Sequence, residues 1–238
     1  LMSQIFSFMI DNEVILRNPL ARIKSLREEK SEEVCALSSQ EVQILLSKTK
    51  QVYPDFYPLL FTAIFTGLRQ GELMALTWDS INWVKKQITI DKNYTHGRLG
   101  TPKTGKIRKV DVSLELVKVL KEWRLACPKG EKNLLFPNGD GEYQDANNMI
   151  KRRYKPALNR AGINYIKFHG LRHTYASLLL AKGVPMKYVQ HQLGHSSIKM
   201  TMDLYTHLLP ETNEQCVNAL DNIVEKTQEP IEIRKFGT

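Results

Sequence analysis

Four short stretches of this 238-residue chain carry side chains that could act on a phosphate. "TGLRQGEL" offers Arg69 and Glu72, three apart and so on one helical face. "TPKTGKIRK" offers Lys103, at or near a hairpin tip. "HGLRH" offers His169 and Arg172, again three apart, with His173 at i+4. "LGHSSIKMTMDLYTHL" offers His195 and, ten residues on, Tyr205. Planar arginine forks grip non-bridging phosphate oxygens in pairs. Charge on those oxygens grows toward the pentacoordinate state, and preorganised donors stabilise it best where water is excluded. A phenol with a pKa of about 10 attacks phosphorus only with a base or a cationic field to assist. The departing alkoxide needs an acid. Together the set contains what metal-free phosphoryl transfer requires.

Each member also has a plainer reading. Arg69 after Gly67 could end a buried helix and pair with Glu72. Lys103 could be a solvated charge. His169 and His173, at i and i+4, could hold zinc, but HGLRH lacks the glutamate of HExxH. His191 and His195 repeat the spacing, with Gly194 ending the helix between them. Tyr205 shares a face with Ile198, Met202 and Leu209, as a core tyrosine would.

The elements that must position these groups are legible in part. The opening stretch is amphipathic (Ile5, Phe8, Met9, Ile15, Leu16), with Pro19 expected to interrupt its helix. It reads as the end of a preceding segment, and Arg27–Glu33 reads as a linker. Ser38 and Glu41 form a capping box for a helix with Val42, Leu45 and Leu46 on its apolar face. "YPLLFTAIFTGLRQGELMALTW" is helical and buried, broken near Gly67. Period-two alternation predicts strands at Gln87–Ile90 and Ile107–Val112, in a small antiparallel sheet with a hairpin. Helices are expected at 113–126, 142–160, 170–182, 185–193, 197–208 and 213–225. Gly183 and Gly194 are placed as C-caps, Pro185 in a first helical turn, and the tail after 225 as extended.

Composition sets the partner class. Lys and Arg number 34 against 25 Asp and Glu, a net charge of +9, which calls for a polyanion. The basic residues are dispersed, which disfavours a membrane surface. No apolar run reaches the roughly 18 residues of a membrane span, and no secretory leader is visible. Cys35, Cys127 and Cys216 form no CxxC pair, so they read as ordinary thiols in a reducing cytosol.

The motifs "TGLRQGEL", "PKTGKIRKV", "HGLRHTYASLLL", "QHQLGHSS" and "TMDLYTHL", in this order across about 38 to 210, resemble the tyrosine recombinase (phage integrase) family. The resemblance implies an α+β fold: a mostly helical catalytic domain with a small antiparallel three-stranded sheet, the DNA breaking-rejoining enzyme fold. It implies the end of a core-binding domain and linker over 1–30, the catalytic domain over 31–225 and a C-terminal tail over 226–238. Tyr205 would be the nucleophile, giving a 3′-phosphotyrosyl link. Arg69 and Arg172 would clamp the phosphate. Lys103 would be the general acid, His169 the base or proton shuttle, and His195 a hydrogen-bond donor to the phosphate. Glu72 would buttress arginine and histidine side chains, and His173 would serve helix structure. No cofactor or metal is implied. The implied partners are double-stranded DNA attachment sites, a homo-tetramer assembled on DNA through the segment near 213–238, and an accessory directionality factor. The implied setting is cytoplasmic, at the nucleoid, bacterial or phage-encoded.

Two rivals remain, and the "LGHSS…LYTHL" pattern favours the recombinase over the first. A type IB topoisomerase uses a similar residue set but relaxes supercoils as a monomer. A helix–turn–helix regulator could use "LLLAKGVPMKYVQHQLGHSSIKM", yet leaves Lys103 and Tyr205 without a task.

Overall fold

The computed structural model describes residues 2–19, 36–102 and 105–206. Contacts divide the chain into two units, Leu1–Glu33 and Val34–Thr238. In the first, helix α1 spans Met2–Asp11. It ends well before Pro19. Asn12 folds back, its N–H and side-chain amide both donating to Phe8 O, and Glu13 takes a positive φ of 59°. Ile15 and Leu16 therefore fall outside the helix that the apolar pattern suggested.

The second unit is mostly helical, with one three-stranded sheet and a separate hairpin. Helix α2 (Ser39–Val52) starts at the expected capping box: Glu41 N–H donates to Ser38 Oγ at 3.2 Å, and Ser38 N–H donates to the Glu41 carboxylate at 2.8 Å. Val42 and Leu45 are buried beneath it. Helix α3 (Tyr57–Thr66) is apolar all round and nearly all buried. Its two buried threonines satisfy their hydroxyls on carbonyls one turn back, Thr62 on Pro58 O and Thr66 on Thr62 O. Gly67 closes it in the left-handed conformation, and α4 (Gln70–Ala75) follows.

Strands β1 (Ile81–Asn82), β2 (Gln87–Ile90) and β5 (Arg108–Asp111) pair antiparallel in the order β1–β2–β5. The register sets Ile88 opposite Val110 and Ile90 opposite Arg108. Between β2 and β5 lies a hairpin of β3 (Asn93–Thr95) and β4 (Arg98–Gly100). His96 and Gly97 at its tip both have positive φ, as a tight hairpin turn of the primed type needs. This tip lies upstream of Lys103, which falls outside the described residues, so the expected placement of that lysine is not described.

Helix α5 spans Leu114–Ala126, capped by Ser113. The single helix expected over 142–160 is instead α6 (Ala146–Met149), a wider π segment at Ile150–Tyr154, and α7 (Lys155–Arg160). Pro156 supplies the reason. Its ring crowds the carbonyl four residues back, at Arg152, and it has no N–H to donate there, so the turn opens. Helices α8 (Gly170–Ala181), α9 (Met186–Leu193) and α10 (Lys199–Thr206) complete the described chain. Gly183 follows the end of α8 with φ +73°, Gly194 ends α9 in the left-handed conformation, and Pro185 is the N-cap of α9. The helix expected at 213–225 and the extended tail lie outside the described residues.

One large apolar core joins α2, α3, α5, the sheet and the base of α8, from Leu45 and Leu60 through Ile88 and Leu120 to Leu171. A smaller cluster of Tyr175, Ala176, Leu180, Val189 and Leu193 fastens α8 to α9. Thr174 ties the start of α2 to α8, accepting from Leu37 N–H and donating to Gly170 O, both at 2.9 Å. Cys127 is buried, and burial pushes its thiol pKa up. Among the described residues no helix is long and apolar enough to cross a membrane.

Candidate active site

Turns between helices place the chemically able residues. Gly67 turns the chain sharply after α3, and Arg69 becomes the N-cap of α4. Glu72, at the third position of α4, accepts from Arg69 N–H at 2.9 Å and from its guanidinium at 3.1 Å. The same carboxylate accepts both prongs of Arg108 from β5, at 2.8 and 2.7 Å. Glu72 is 1% exposed, so its charge is held wholly by these two arginines. Burial alone would raise its pKa. The hydrogen bonds and charge of Arg108, then Arg69, outweigh it and hold the carboxyl below its usual range.

Arg108 was not among the residues singled out from the sequence. Beyond its pair with Glu72, its Nε donates to Gln192 O at 3.2 Å. Gln192 answers from α9, accepting from Asp111 N–H and donating to Asp111 Oδ2. Strand β5 is thereby stitched to α4 on one side and α9 on the other. A Cβ at Gly194 would lie 2.9 Å from Arg108 Cδ, so the absence of a side chain there lets the guanidinium pass.

Arg172, on the first turn of α8, is 2% exposed. It donates to Gly67 O at 2.8 Å and to Leu193 O at 2.7 Å, the ends of α3 and α9. Burial, then Arg69, pushes its pKa down to about 9, so it stays charged at neutral pH. His169 is the N-cap residue of α8, with its ring edge-to-face on His173 at 4.9 Å between centroids. His173 Nδ1 is buried, and burial, then Arg172, lowers that ring's pKa. His195 follows Gly194. Its N–H donates to Gln190 O, and its Nδ1 lies 2.9 Å from Thr201 Oγ1 on α10. Burial, then Arg172 and Arg69, lowers its pKa to about 3, so the ring is neutral at physiological pH.

Arg69, Arg108, His169, Arg172 and His195 all line one cavity of about 860 Å³. Residues far apart in sequence thus face one space, with three guanidiniums and three imidazoles around it, His191 supplying the third imidazole. Glu72 lies behind the arginines. Lys106 also lines the cavity, close in sequence to Lys103. Tyr205 is placed by its backbone on α10, the helix that carries Thr201. A basic, half-enclosed space with arginine forks is suited to a tetrahedral anion.

The family model described as "Phage integrase family" matches residues 21–212. The chain belongs to the phage integrase family. Its relatives within this integrase family include a "Tyrosine recombinase XerC-like" protein of Caldanaerobacter subterraneus subsp. tengcongensis, 34% identical over 92% of this chain and 63% of the relative. The "ICEBs1 integrase" of Bacillus subtilis is 29% identical over 94% of this chain and 64% of the relative. The chain therefore spans a little under two thirds of the length of these relatives. Among solved structures, the Tn1549 transposon integrase in complex with a circular intermediate DNA superposes with a TM-score of 0.73. It is 22% identical, covering 92% of this chain and 76% of that one, a likeness that shows the integrase fold.

Proposed function

We propose that this chain is the catalytic part of a site-specific DNA recombinase that integrates or excises a mobile element. The observation that carries the proposal is the convergence of Arg69, Arg172, His169 and His195 on one cavity, beside the helix that bears Tyr205. In this reading Tyr205 Oη attacks the scissile phosphorus. A phosphotyrosyl bond to the 3′ side forms and the bond to the 5′ oxygen breaks. His169 receives the phenolic proton, and Lys103 delivers a proton to the departing 5′ oxygen. Arg69 and Arg172 hold the non-bridging oxygens, and His195 donates to one of them. Glu72 positions the arginines. The phosphotyrosyl link conserves the energy of the phosphodiester, so religation by a 5′ hydroxyl needs no nucleotide cofactor.

The domain assignment goes with it: a core-binding end and linker over 1–30, the catalytic domain over 31–225 and a tail over 226–238. The substrate is duplex DNA carrying an attachment site. The active assembly is a homo-tetramer on two duplexes, joined through the segment near 213–238 and steered by an accessory directionality factor. Family relatives are bacterial and phage proteins, which supports a place at the nucleoid in the cytoplasm.

The test is a nicked attachment-site duplex, taken from the DNA flanking the gene, incubated with the full-length protein and run on a denaturing gel. Wild type is expected to give a covalent protein–DNA band that Tyr205→Phe and Arg172→Ala both lose. Arg172→Ala should keep most of its duplex affinity, because affinity rests on dispersed phosphate contacts. Wild type that binds the site with no covalent band would overturn the proposal in favour of a regulator. Relaxation of a plasmid lacking the site would point to a topoisomerase.

A further inference from the structure

His195 lines the cavity and meets Thr201 behind it, and the chemistry of their contact sets a direction. Thr201 Oγ1 lies 2.9 Å from His195 Nδ1, and Thr201 has no exposed surface. A buried hydroxyl has one proton and must place it on an acceptor. Among the described residues, His195 is the partner of this hydroxyl. A neutral imidazole carries one N–H and one bare nitrogen. If the hydroxyl donates, Nδ1 is the bare one and the ring's proton sits on Nε2.

We propose that Thr201 is a positioning residue for the reaction: its hydroxyl donates to His195 Nδ1 and holds the ring in the tautomer whose Nε2 is a donor. The inference rests on the recombinase reading for its consequence, because only an Nε2–H can donate to a phosphate oxygen in the cavity. The other tautomer would present a lone pair to the anion and repel it. His195 does not escape the choice by taking a second proton, since burial and the two arginines keep it neutral. A group that fixes which imidazole nitrogen bears the proton is a known requirement where a histidine has one chemical task.

The position of Thr201 gives the contact a second meaning. Thr201 and Tyr205 are four residues apart, one turn, on the same short helix. That helix packs on α8 and α9, the two elements that deliver Arg172 and His195. Seating α10 therefore does two things together. It brings the segment bearing the nucleophile to the cavity and switches His195 into its donor form. With α10 unseated, the hydroxyl is gone, and the ring is free to exchange tautomers. The phosphate is then fully gripped only when the attacking residue's own helix is in place.

The test uses the full-length protein labelled with ¹⁵N at histidine. The His195 signals are assigned by their loss in His195→Gln, and long-range ¹⁵N–¹H spectra report which ring nitrogen is protonated. Wild type is expected to show the Nε2–H form. Thr201→Val, which keeps the branched shape and drops the hydroxyl, is expected to show a mixture, and Thr201→Ser to restore the wild-type pattern. On the nicked attachment-site duplex, Thr201→Val should form covalent complex on the order of tenfold more slowly, because outright loss of one preorganised donor costs about 10²–10³. Duplex affinity should not change, and Thr201→Ser should recover the rate. Wild type with the proton on Nδ1, or a Thr201→Val spectrum identical to wild type, overturns the proposal. If wild type forms no covalent complex, the recombinase reading fails, and the spectra still decide the tautomer independently.

Discussion

On one side of the cavity, Glu72 is gripped by Arg108 and Arg69, and Arg172 is pinned by carbonyls from two helices. On the other side, the backbone of His195 is tied to Gln190 of α9, and its ring, among the described residues, is bonded to Thr201, at the start of the last described helix. The first side joins α3, α4, β5, α8 and α9, and its central carboxylate has almost no contact with water. The second lies next to Ser196 and Met200, both exposed. The arginine side is thus assembled before any ligand arrives, since its bonds are internal and shielded. The ring contact on the histidine side is supplied by one short helix. In the proposed function, a site built this way would fix the charges that bind and leave the histidine contact to the last described helix.

Three changes would break or sharpen this contrast. The largest effect is expected from Glu72→Gln. It leaves the Arg108 guanidinium buried without its counter-charge, and breaking such a pair costs about 3–5 kcal/mol. Chemical denaturation should show the loss, while Arg69→Ala, at a side chain 20% exposed, should lose far less. Equal losses would mean that the two arginines share the carboxylate equally, which the two-pronged Arg108 contact argues against.

Gly194→Ala should come next. The new Cβ would meet Arg108 Cδ at 2.9 Å, and the backbone there has φ +64°, where L side chains are strained. A cost of about 1–3 kcal/mol is expected, with Arg108→Ala partly relieving it. Strictly additive losses in the double variant would show that the two do not touch.

The third effect concerns acid and is confined to low pH. His195 has its folded pKa lowered to about 3 against an ordinary 6.5. Its unfolded form binds the proton first, so its contribution is full above about pH 6.5 and is lost as the pH falls toward 3. Glu72, also lowered, contributes above its ordinary 4.5 and loses that contribution as the pH falls through its folded value. His195→Gln should therefore reduce the slope of the stability profile between about pH 6.5 and 3, leaving the shares of His173 and Glu72. An unchanged slope in that window would mean that His195 is not desolvated in solution.

Where local chemistry decides the structure, the sequence was readable. The Ser38–Glu41 box, strand β2 at Gln87–Ile90 and the glycine end of α9 all depend on neighbours within a few residues. Arg69, His169, Arg172 and His195 were singled out from the same local stretches, and the fold brings them together. Arg108 escaped because its meaning is tertiary. In "KIRKVDV" the apolar residue Ile107 draws the eye, yet it is 69% exposed, and Arg108 shares the inward side with Val110 and Val112. Strand parity held the clue. Ile107 cannot face the same way as the two valines, and the arginine that does must find a buried carboxylate. The widened turn at Ile150–Tyr154 was likewise hidden behind a helical pattern, with Pro156 its one visible signal.

The two carbonyls on Arg172 carry a further consequence. A guanidinium paired with a carboxylate, as Arg108 is, has its field largely cancelled before any anion approaches. Arg172 is oriented by neutral groups, so its rotation is restrained without loss of its unit charge. In the proposed recombinase reading it would meet an incoming phosphodiester already aimed and still a full cation, and the strength of that attraction would be set by how dry the cavity becomes once DNA covers it.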